Sequence, residues 1–342
     1  MINLITVRGI KTGPMVSGLM LKGWIEVEGR RLSELEVEKI LNESPASVSG
    51  FGGEFFLSWD GCAARDLFGI IPGSCHAGTI VCDGAAVGVV DPQPPELSLA
   101  QAIEIAVALR KADGVVALSG GVDSALIAAM AGKECIVVGI EGSVDLKRAK
   151  AVADILDLSL DTATIDPRRI EEALVEVLAV IPRANPVDAS IAATLYFVAE
   201  QALDHGYEKV LAGQGADELF GGYARYLGTC TLGQDLERDF RGLALQAARD
   251  QAVAGLFGAY FSLPYMDVRV VRKAMSIPPE EKVKEGVRKR PLREVAARYV
   301  PNEVAYREKK AMQYGSGMMR EIKRLARRSG YRMVEDFLRA IG

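Results

Sequence analysis

The sequence lacks the features that would place it in a membrane or in a disulfide-stapled class. No uninterrupted apolar run reaches the roughly 18 residues that a membrane-spanning helix needs. Residues 1–4 do not show the charged and then apolar layout of a signal peptide. No pair of the five cysteines has CxxC spacing, and their number is odd. We therefore expect a reduced chain in the cytoplasm, with no membrane partner.

The composition is that of a globular protein of about two domains. The chain has 342 residues, of which 49% are hydrophobic and 25% charged, and a domain averages roughly 150 residues. Glycine is in excess at 35 residues. This excess favours tight turns and backbone that approaches a ligand closely.

The formal net charge of −4 hides a basic C-terminal segment. Residues 281–342 contain 17 Lys and Arg against 8 Asp and Glu, whereas the rest of the chain contains 24 and 37. Such a segment suits an anionic partner, for which the candidates are tRNA or another nucleic acid, a polyphosphate leaving group and the acidic body of the same chain. A protein partner and a merely solvated helical face are further interpretations of the same charges.

Three prolines within residues 91–95 mark the clearest boundary in the chain, because proline breaks regular elements. We place one domain in residues 1–92 and a second in residues 97–342. Glycine-punctuated β-like runs in the first domain predict a small β-rich α+β fold. These runs lie at residues 54–59, 79–82 and 86–90.

After the boundary, short apolar runs alternate with segments of helical periodicity. This alternation predicts an α/β fold with a doubly wound parallel sheet, followed from about residue 219 by a mainly helical C-terminal part. The predicted strands cover residues 115–118, 135–140, 158–165 and 209–212. The predicted helices cover residues 98–111, 122–131, 145–156, 170–180 and 189–203.

A glycine-rich turn follows the first of these strands. It reads Ser-Gly-Gly-Val-Asp-Ser at residues 119–124 and leads directly into a helix. Its backbone amides, two hydroxyls and the helix N-terminus suit a phosphate chain. Asp123 and a phosphate chain are both negatively charged, so we expect a divalent cation to bridge them. The turn has neither the lysine of a GxxxxGK[ST] loop nor a GxGxxG pattern.

The hexapeptide at 119–124 resembles the pyrophosphate loop of the ATP pyrophosphatases, which cleave ATP between its α- and β-phosphates. Residues 210–223 cluster glycines and acids after a strand and resemble the second signature of the asparagine synthetase family's synthetase domain. Weaker matches at 263–267 and 307–310 extend the resemblance over residues 97–317. It implies an adenine nucleotide alpha hydrolase-like domain of the PP-loop kind, with ATP and Mg²⁺ as cofactors.

The resemblance implies a role for each matching residue. Pyrophosphate would be held by Ser119, Gly120, Gly121, Asp123 and Ser124. Mg²⁺ would be bound by Asp123 and Asp217. Adenine and ribose would be lined by Leu118, Val138, Gly139 and Gly213. Lys309 would neutralise charge on the departing pyrophosphate, although the same residue is equally compatible with an ordinary surface lysine.

Two positions depart from the family pattern. Gln214 stands where the family commonly has an acid that handles a proton of the attacking amine. An amide can orient a nucleophile or a substrate carbonyl, but it cannot accept that proton. Ser190 stands where asparagine synthetases have an arginine that faces the aspartate substrate. The loss of this bidentate partner weakens the case for aspartate.

Residues 52–60 and 64–72 resemble core strands of the family's glutaminase domain. That domain uses a cysteine nucleophile exposed by removal of Met1, but the second residue here is Ile2. We therefore expect a degenerate module without glutaminase activity and with a structural or docking role. Ordinary packing and a thiol or metal site are both compatible with the residues nearby, Cys62, Cys75, Cys82 and His76.

The sequence thus predicts an ATP-dependent carbon–nitrogen ligase of the asparagine synthetase type. It would adenylate a carboxylate or amide, release pyrophosphate, and then transfer ammonia or an amine, with Gln214 orienting a reactant. Two alternatives stay open. One is a PP-loop enzyme that adenylates an RNA base, which the basic segment favours. The other is a non-catalytic nucleotide-binding scaffold, which Gln214 favours.

Overall fold

The structure is a computed structural model that describes residues 18–308 and 312–342. The strands are β1 (Met20–Val27), β2 (Arg30–Arg31), β3 (Gly52–Trp59), β4 (Cys62–Arg65), β5 (Thr79–Cys82), β6 (Ala85–Val89), β7 (Gly114–Ala117), β8 (Cys135–Gly139), β9 (Leu160–Thr164), β10 (Lys209–Leu211), β11 (Tyr260–Ser262), β12 (Val283–Lys284) and β13 (Val287–Arg288). The helices are α1 (Glu34–Glu43), α2 (Leu99–Arg110), α3 (Val122–Ala131), α4 (Val144–Leu156), α5 (Ile170–Leu178), α6 (Pro186–Asp204), α7 (Ala216–Phe220), α8 (Leu232–Arg241), α9 (Leu243–Gly255), α10 (Val268–Ser276), α11 (Pro279–Lys282), α12 (Arg290–Ala296), α13 (Asn302–Ala305), α14 (Met312–Gly315), α15 (Met318–Arg328) and α16 (Val334–Ile341). Within the described residues, no helix combines the length and apolar character needed to cross a bilayer.

The first domain is a six-stranded antiparallel sheet in the order β2-β1-β3-β4-β5-β6, with the helix α1 beside it. Alternate side chains of a strand point to its two opposite faces. In β3 the side chains on both faces are largely buried. Phe55, Leu57 and Trp59 fill the core of this domain. Glu54 points the other way and bonds to Ser262 of the second domain. The first domain therefore contributes a polar group to its contact with the second.

Cys62 and Cys82 form a disulfide. They lie directly opposite each other on the antiparallel neighbours β4 and β5, with their Cα atoms 4.0 Å apart. The prediction of a fully reduced chain is therefore wrong for these two residues, because chain spacing does not reveal which residues face each other across strands. Cys75, Cys135 and Cys230 are free thiols.

The second domain is built on a five-stranded sheet in which every neighbouring pair of strands is parallel. Successive residues of a strand enter two different cores, as Val115 and Val116 do on β7. Helices α5, α6, α9 and α15 pack in the first core, and α2, α3, α4 and α10 pack in the second. The predicted mixed α/β fold with a parallel sheet is confirmed, and helices cover both faces of the sheet.

The strands and helices predicted between residues 98 and 212 are all present, with ends shifted by only a few residues. The region after residue 219 holds helices, as predicted, but it also contains β11 and the hairpin of β12 and β13. The strand β11 has three residues, too few to produce a recognisable periodicity. The expectation of a mainly helical C-terminal part therefore missed one edge strand of the main sheet.

The strand order β11-β10-β7-β8-β9 reverses between β7 and β10. From β7 the chain proceeds to β8 and β9 on one side, and it later adds β10 and β11 on the other. Open α/β sheets bind ligands at the carboxyl ends of strands where the order reverses. The fold therefore points to the loops that follow β7 and β10.

Candidate functional site

The loops that follow β7 and β10 carry glycines at positions where a side chain would collide with its neighbours. Gly120 has a φ of 74°, and a Cβ on it would lie 2.4 Å from the carbonyl carbon of Arg148. A Cβ on Gly213 would lie 3.0 Å from the Cβ of Asp123. Gly120 therefore allows the first loop to pack against α4, and Gly213 allows the second loop to close tightly against the first.

The first loop presents hydrogen-bond donors at the start of a helix. Gly121 is the N-cap of α3 and has no side chain to satisfy the first amides of that helix. The hydroxyls of Ser119 and Ser124 lie 3.2 Å apart, and the Ser124 hydroxyl accepts a hydrogen bond from the Ser119 amide. Amides at a helix N-terminus favour a bound phosphate. This loop therefore has the donors that a phosphate chain needs.

Asp123 and Asp217 meet at one buried ammonium group. The Nζ of Lys289 lies 2.7 and 2.6 Å from the two carboxylate oxygens of Asp123 and 2.7 Å from Oδ1 of Asp217. Lys289 is 1% exposed and adopts a left-handed backbone conformation just before α12, with a φ of 56°. Such a conformation is uncommon for a residue with a side chain. The two acids predicted to bind Mg²⁺ are thus brought to one point by elements far apart in the sequence.

The sequence does not single out Lys289, because the cations at 288–290 look alike along the chain. In the structure they differ. The guanidinium of Arg288 donates to the carbonyl oxygen of Gly222, and Arg290 pairs with glutamates near the surface. Of the three, Lys289 turns inward to the two acids. The basic composition of this stretch was the available signal, and it does not say which cation enters the site.

The donor set fits an Mg²⁺ ion that is bound together with phosphates. Mg²⁺ is usually held by one or two carboxylates and by substrate phosphates. Asp123 and Asp217 converge on the ammonium group of Lys289, beside a helix start that suits a phosphate. An ionised carboxylate has about four lone-pair sites, so the two acids can bind a metal as well as this lysine. Among residues 18–308 and 312–342, no cluster of three or more Asp, Glu, His or Cys side chains could hold a metal alone. The site is therefore suited to a metal that arrives with its phosphates.

The residues predicted to line adenine and ribose lie near the carboxyl ends of β7, β8 and β10. The side chains of Leu118 and Val138 are buried in the cores on opposite faces of the sheet, so only their backbone is available to a ligand. Gly139 is buried, and a Cβ on it would lie 2.5 Å from Oγ of Ser143. That buried hydroxyl has no hydrogen-bond partner in the described part of the chain. Ser143 is therefore a candidate ligand contact that the sequence patterns did not indicate.

Gln214 lies beside a buried ionic cluster. Its Nε2 donates to Oδ2 of Asp250 at 3.4 Å, and Asp250 pairs with Arg249 at 2.7 Å. Arg249 also pairs with Asp188 at 2.5 Å. Burial raises the pKa of Asp250, and the guanidinium of Arg249 opposes that rise. Because its amide nitrogen faces Asp250, the amide oxygen of Gln214 is the atom left to orient a reactant.

Ser190 is fully buried in α6, and its hydroxyl donates to the carbonyl oxygen of Val187 at 2.9 Å. Its hydroxyl is thus directed to the helix backbone. The position where asparagine synthetases carry an arginine therefore offers no cation to a carboxylate substrate.

Lys309 lies outside the described residues, together with residues 310 and 311. The preceding residue, Glu308, accepts a hydrogen bond at its carbonyl oxygen from Arg148 at 3.0 Å. Arg148 is also the residue that packs against Gly120. Glu308 is therefore joined through Arg148 to the first glycine loop.

A second buried lysine, Lys282 at the end of α11, has no such partners. It is 4% exposed, and burial alone lowers its pKa to about 8. No hydrogen bond or ion pair involves its ammonium group within the described chain. We expect Lys282→Met to raise the free energy of unfolding near neutral pH by about 1–2 kcal/mol, because the variant buries no charge.

The pH dependence of this gain follows from the two pKa values of Lys282. The pKa rises from about 8 in the folded protein to about 10.5 in the unfolded chain, so the penalty is fully present below the first value and absent above the second. Urea unfolding of both proteins near neutral pH and again above the unfolded pKa measures the difference. An equal advantage for Lys282→Met at both pH values would contradict this assignment.

The fold is that of an α/β protein with a central parallel sheet, and the chain belongs to the asparagine synthase family. The family model matches residues 98–263 and 243–333. A relative named putative asparagine synthetase 1 (glutamine-hydrolyzing), from Methanocaldococcus jannaschii, is 34% identical over 265 residues, which cover 64% of this chain and 49% of that one. Asparagine synthetase B from Escherichia coli is 28% identical over 228 residues, covering 59% and 41%. The chain therefore spans half or less of the length of these relatives.

One solved structure, that of NMN synthetase from Francisella tularensis, aligns with 68% of this chain and 95% of its own. The identity is 14% and the TM-score is 0.28. At this score the alignment adds nothing to the fold described above.

Proposed function

We propose that the protein is an ATP-dependent carbon–nitrogen ligase of the asparagine synthetase type that forms AMP and pyrophosphate on a PP-loop domain. The observation that carries this proposal is the convergence of Asp123 and Asp217 on one cation position. They meet between two glycine loops, where the strand order of the sheet reverses. Membership of the asparagine synthase family supports the same class of reaction.

The proposed reaction has two steps. An oxygen of the acceptor carboxylate, or of an amide, attacks the α-phosphorus of ATP, and the bond to the β-phosphate breaks with release of pyrophosphate. Ammonia or an amine then attacks the acyl carbon, and the bond from this carbon to the AMP oxygen breaks. AMP leaves with one oxygen of the acceptor, and the amine gives up a proton to water or to AMP.

The chain's own groups match these needs. Ser119, Ser124 and the amides at the start of α3 would hold the departing pyrophosphate. Mg²⁺, held by Asp123 and Asp217, would neutralise charge on the phosphate oxygens. Lys289 holds the two carboxylates together and adds a positive charge where negative charge develops. We propose that Lys309 supplies a second cation to the departing pyrophosphate.

Gln214 and Ser190 bear on the two reactants. The amide oxygen of Gln214 would accept a hydrogen bond from the attacking amine and so orient it, without taking its proton. Ser190 gives no cation to a second carboxylate of the acceptor. We therefore propose an acceptor with a single reactive carboxylate or amide, and not aspartate.

The nitrogen source would be free ammonia or an amine, because the first domain is not expected to hydrolyse glutamine. Ile2 lies outside the described residues. Cys62 and Cys82 are joined in a disulfide, and burial raises the pKa of the Cys75 thiol, which makes it a poorer nucleophile. No cysteine of the first domain between residues 18 and 92 therefore has the properties of an activated nucleophile.

A product screen tests the proposed function. The protein is incubated with Mg²⁺-ATP, ammonium chloride and a panel of carboxylic acids, and AMP and pyrophosphate are measured. The expected result is equal amounts of both products with at least one acid, and none with Asp123→Asn. ATP consumed only to ADP and phosphate, or no turnover with any acid, would contradict the proposal.

Adenylation of an RNA base is a second candidate function, favoured by a basic surface on α15. A concavity of about 640 Å³ is bordered by Tyr314, Met319, Arg320, Lys323, Arg324, Arg327 and Arg328. Tyr314 is 60% exposed, and an exposed ring among cations suits a stacked base beside its phosphates. Gly317, just before α15, packs on Ile140, which follows β8. The surface therefore adjoins the proposed nucleotide site.

Salt-dependent binding of tRNA would support this second function. Fluorescence anisotropy of labelled tRNA should show affinity that falls steeply with added KCl, because phosphate contacts release counterions. The Arg327→Glu/Arg328→Glu variant should lose this binding, whereas Arg168→Glu, at an exposed position that does not line the concavity, should retain it. Absence of binding at low salt would remove this candidate.

A further inference from the structure

We infer that the first domain is a built-in support for the nucleotide loops. Through Glu54 and Glu26 it fixes both ends of the segment 262–267, which in turn contacts both glycine loops. The inference rests on the proposed nucleotide site, and it gives a function to a domain that the proposed reaction leaves unused. Glu54 is a positioning residue in this account, since it acts through other groups.

Glu54 holds the beginning of this segment with both of its carboxylate oxygens. Its Oε2 accepts a hydrogen bond from the hydroxyl of Ser262 at 2.6 Å, and its Oε1 accepts one from the amide of Leu263 at 2.8 Å. The same carboxylate accepts from Nε of Arg110 at 2.8 Å and from the indole of Trp24 at 3.2 Å. Glu54 is 1% exposed. Burial removes water from its carboxylate, and these four donors supply the hydrogen bonds that water would otherwise make.

The end of the segment is held by a second set of buried charges. Asp267 accepts from Arg110 at 2.8 Å and from Arg269 at 3.1 Å. Arg269 reaches back to Glu26 of the first domain at 2.7 Å. Arg110 thus bridges Glu54 and Asp267, and every member of this network is buried. Buried charges tolerate little displacement, because separating them leaves an uncompensated charge in the interior.

The middle of the segment contacts the first glycine loop through a hydrogen bond. Residues 264–266 form a single 3₁₀ turn. The hydroxyl of Tyr265, which is fully buried, donates to the backbone carbonyl oxygen of Asp123 at 2.9 Å. The ring of Tyr265 also packs edge-on against Phe220 at the end of α7. Tyr265 therefore fixes the backbone of the residue whose side chain binds Lys289.

The same turn contacts the second glycine loop by packing. A Cβ on Gly215 would lie 2.9 Å from Sδ of Met266, and the φ of Gly215 is 87°. Glycine is needed here to let the loop rest on the turn. One short turn, held at both ends by the first domain, thus sets the position of both loops.

Affinity for Mg²⁺-ATP, measured by calorimetry on the full chain, tests this inference without knowledge of the acceptor. The variants are Glu54→Gln, Ser262→Ala, Tyr265→Phe and the Ser262→Ala/Tyr265→Phe pair. We expect each single variant to weaken binding by about 5- to 20-fold, which is the effect of one lost buried hydrogen bond on loop position. The double variant should be less affected than the product of the two single effects, because both changes act along one path.

Two control variants separate positioning from loss of stability. Val37→Ala opens a cavity in the apolar core of the first domain and lowers stability, but it removes no hydrogen bond or charge of the network. Arg272→Gln removes an exposed contact to Asp91 between the two domains. Both controls should bind Mg²⁺-ATP as the wild type does, at a temperature where circular dichroism shows every variant folded.

The outcomes distinguish this inference from the proposed function. A wild type that does not bind Mg²⁺-ATP overturns both. A wild type that binds, with unchanged affinity in Ser262→Ala and Tyr265→Phe, overturns the inference alone. So does a Val37→Ala variant that loses affinity in proportion to its stability. If Glu54→Gln does not fold, the Ser262 and Tyr265 variants still decide the question.

Discussion

Replacing Lys289 by methionine is expected to lower the rate of pyrophosphate formation by about 10³-fold, an effect typical of removing a charge that stabilises a transition state. Lys289 is the cation shared by Asp123 and Asp217. Without Lys289, the carboxylates of Asp123 and Asp217 repel each other and move apart. The metal and the phosphates are then held less well. The Km for Mg²⁺-ATP should rise as well, because the ground-state complex uses the same carboxylates.

Lys282→Met is the matched control for this variant, since it removes a buried lysine that pairs with neither acid in the described part of the chain. It should retain wild-type turnover while gaining stability. Steady-state release of pyrophosphate from the two variants and the wild type gives the comparison. Turnover by Lys289→Met within a few-fold of the wild type would show that this lysine is a structural ion pair only.

Replacing Arg110 by methionine is expected to lower the free energy of unfolding by about 3–5 kcal/mol, the usual cost of removing one partner from a buried ionic network. Arg110 is 1% exposed and pairs with Glu54 and Asp267, both also buried. The change leaves these two carboxylates without their shared cation, at the contact between the domains. A domain typically has about 5–15 kcal/mol of stability in total, so the loss is a large part of it.

Arg272→Met provides the comparison for Arg110→Met. Arg272 also joins the two domains, through Asp91, but both side chains are substantially exposed, and exposed pairs contribute about 0–1 kcal/mol. Urea unfolding followed by tryptophan fluorescence measures both variants, since Trp24 lies beside Arg110 in the network. Similar small losses in the two variants would contradict the account of a charge network that holds the domains together.

The sequence predicted the central sheet well, because its strands and helices have the periodicity that their burial imposes. Val115 and Val116 belong to a short continuous apolar run, and helices on both faces of the sheet explain why both are buried. The glycine loop at 119–124 was recognisable because the chemistry of a phosphate turn is local in sequence. In the first domain, the runs at 54–59, 79–82 and 86–90 fall on strands.

Features that depend on contacts between distant segments could not be predicted. Lys289 and Asp123 are 166 residues apart in the sequence. Nothing in the local sequence distinguishes Lys289 from its basic neighbours. The disulfide between Cys62 and Cys82 depends on strand register. Glu54 begins a predicted β-run that gives it no special role, whereas two of its partners, Ser262 and Leu263, lie more than 200 residues away.

Isotope transfer tests the central claim most directly, namely that the acceptor attacks the α-phosphorus of ATP at the site formed by Asp123, Asp217 and Lys289. The acid found in the product screen is labelled with ¹⁸O in its carboxylate and converted with ammonium and Mg²⁺-ATP. Phosphorus NMR of the products then locates the label. The account predicts one ¹⁸O atom in AMP and none in pyrophosphate. Label in inorganic phosphate, accompanied by ADP, would contradict it.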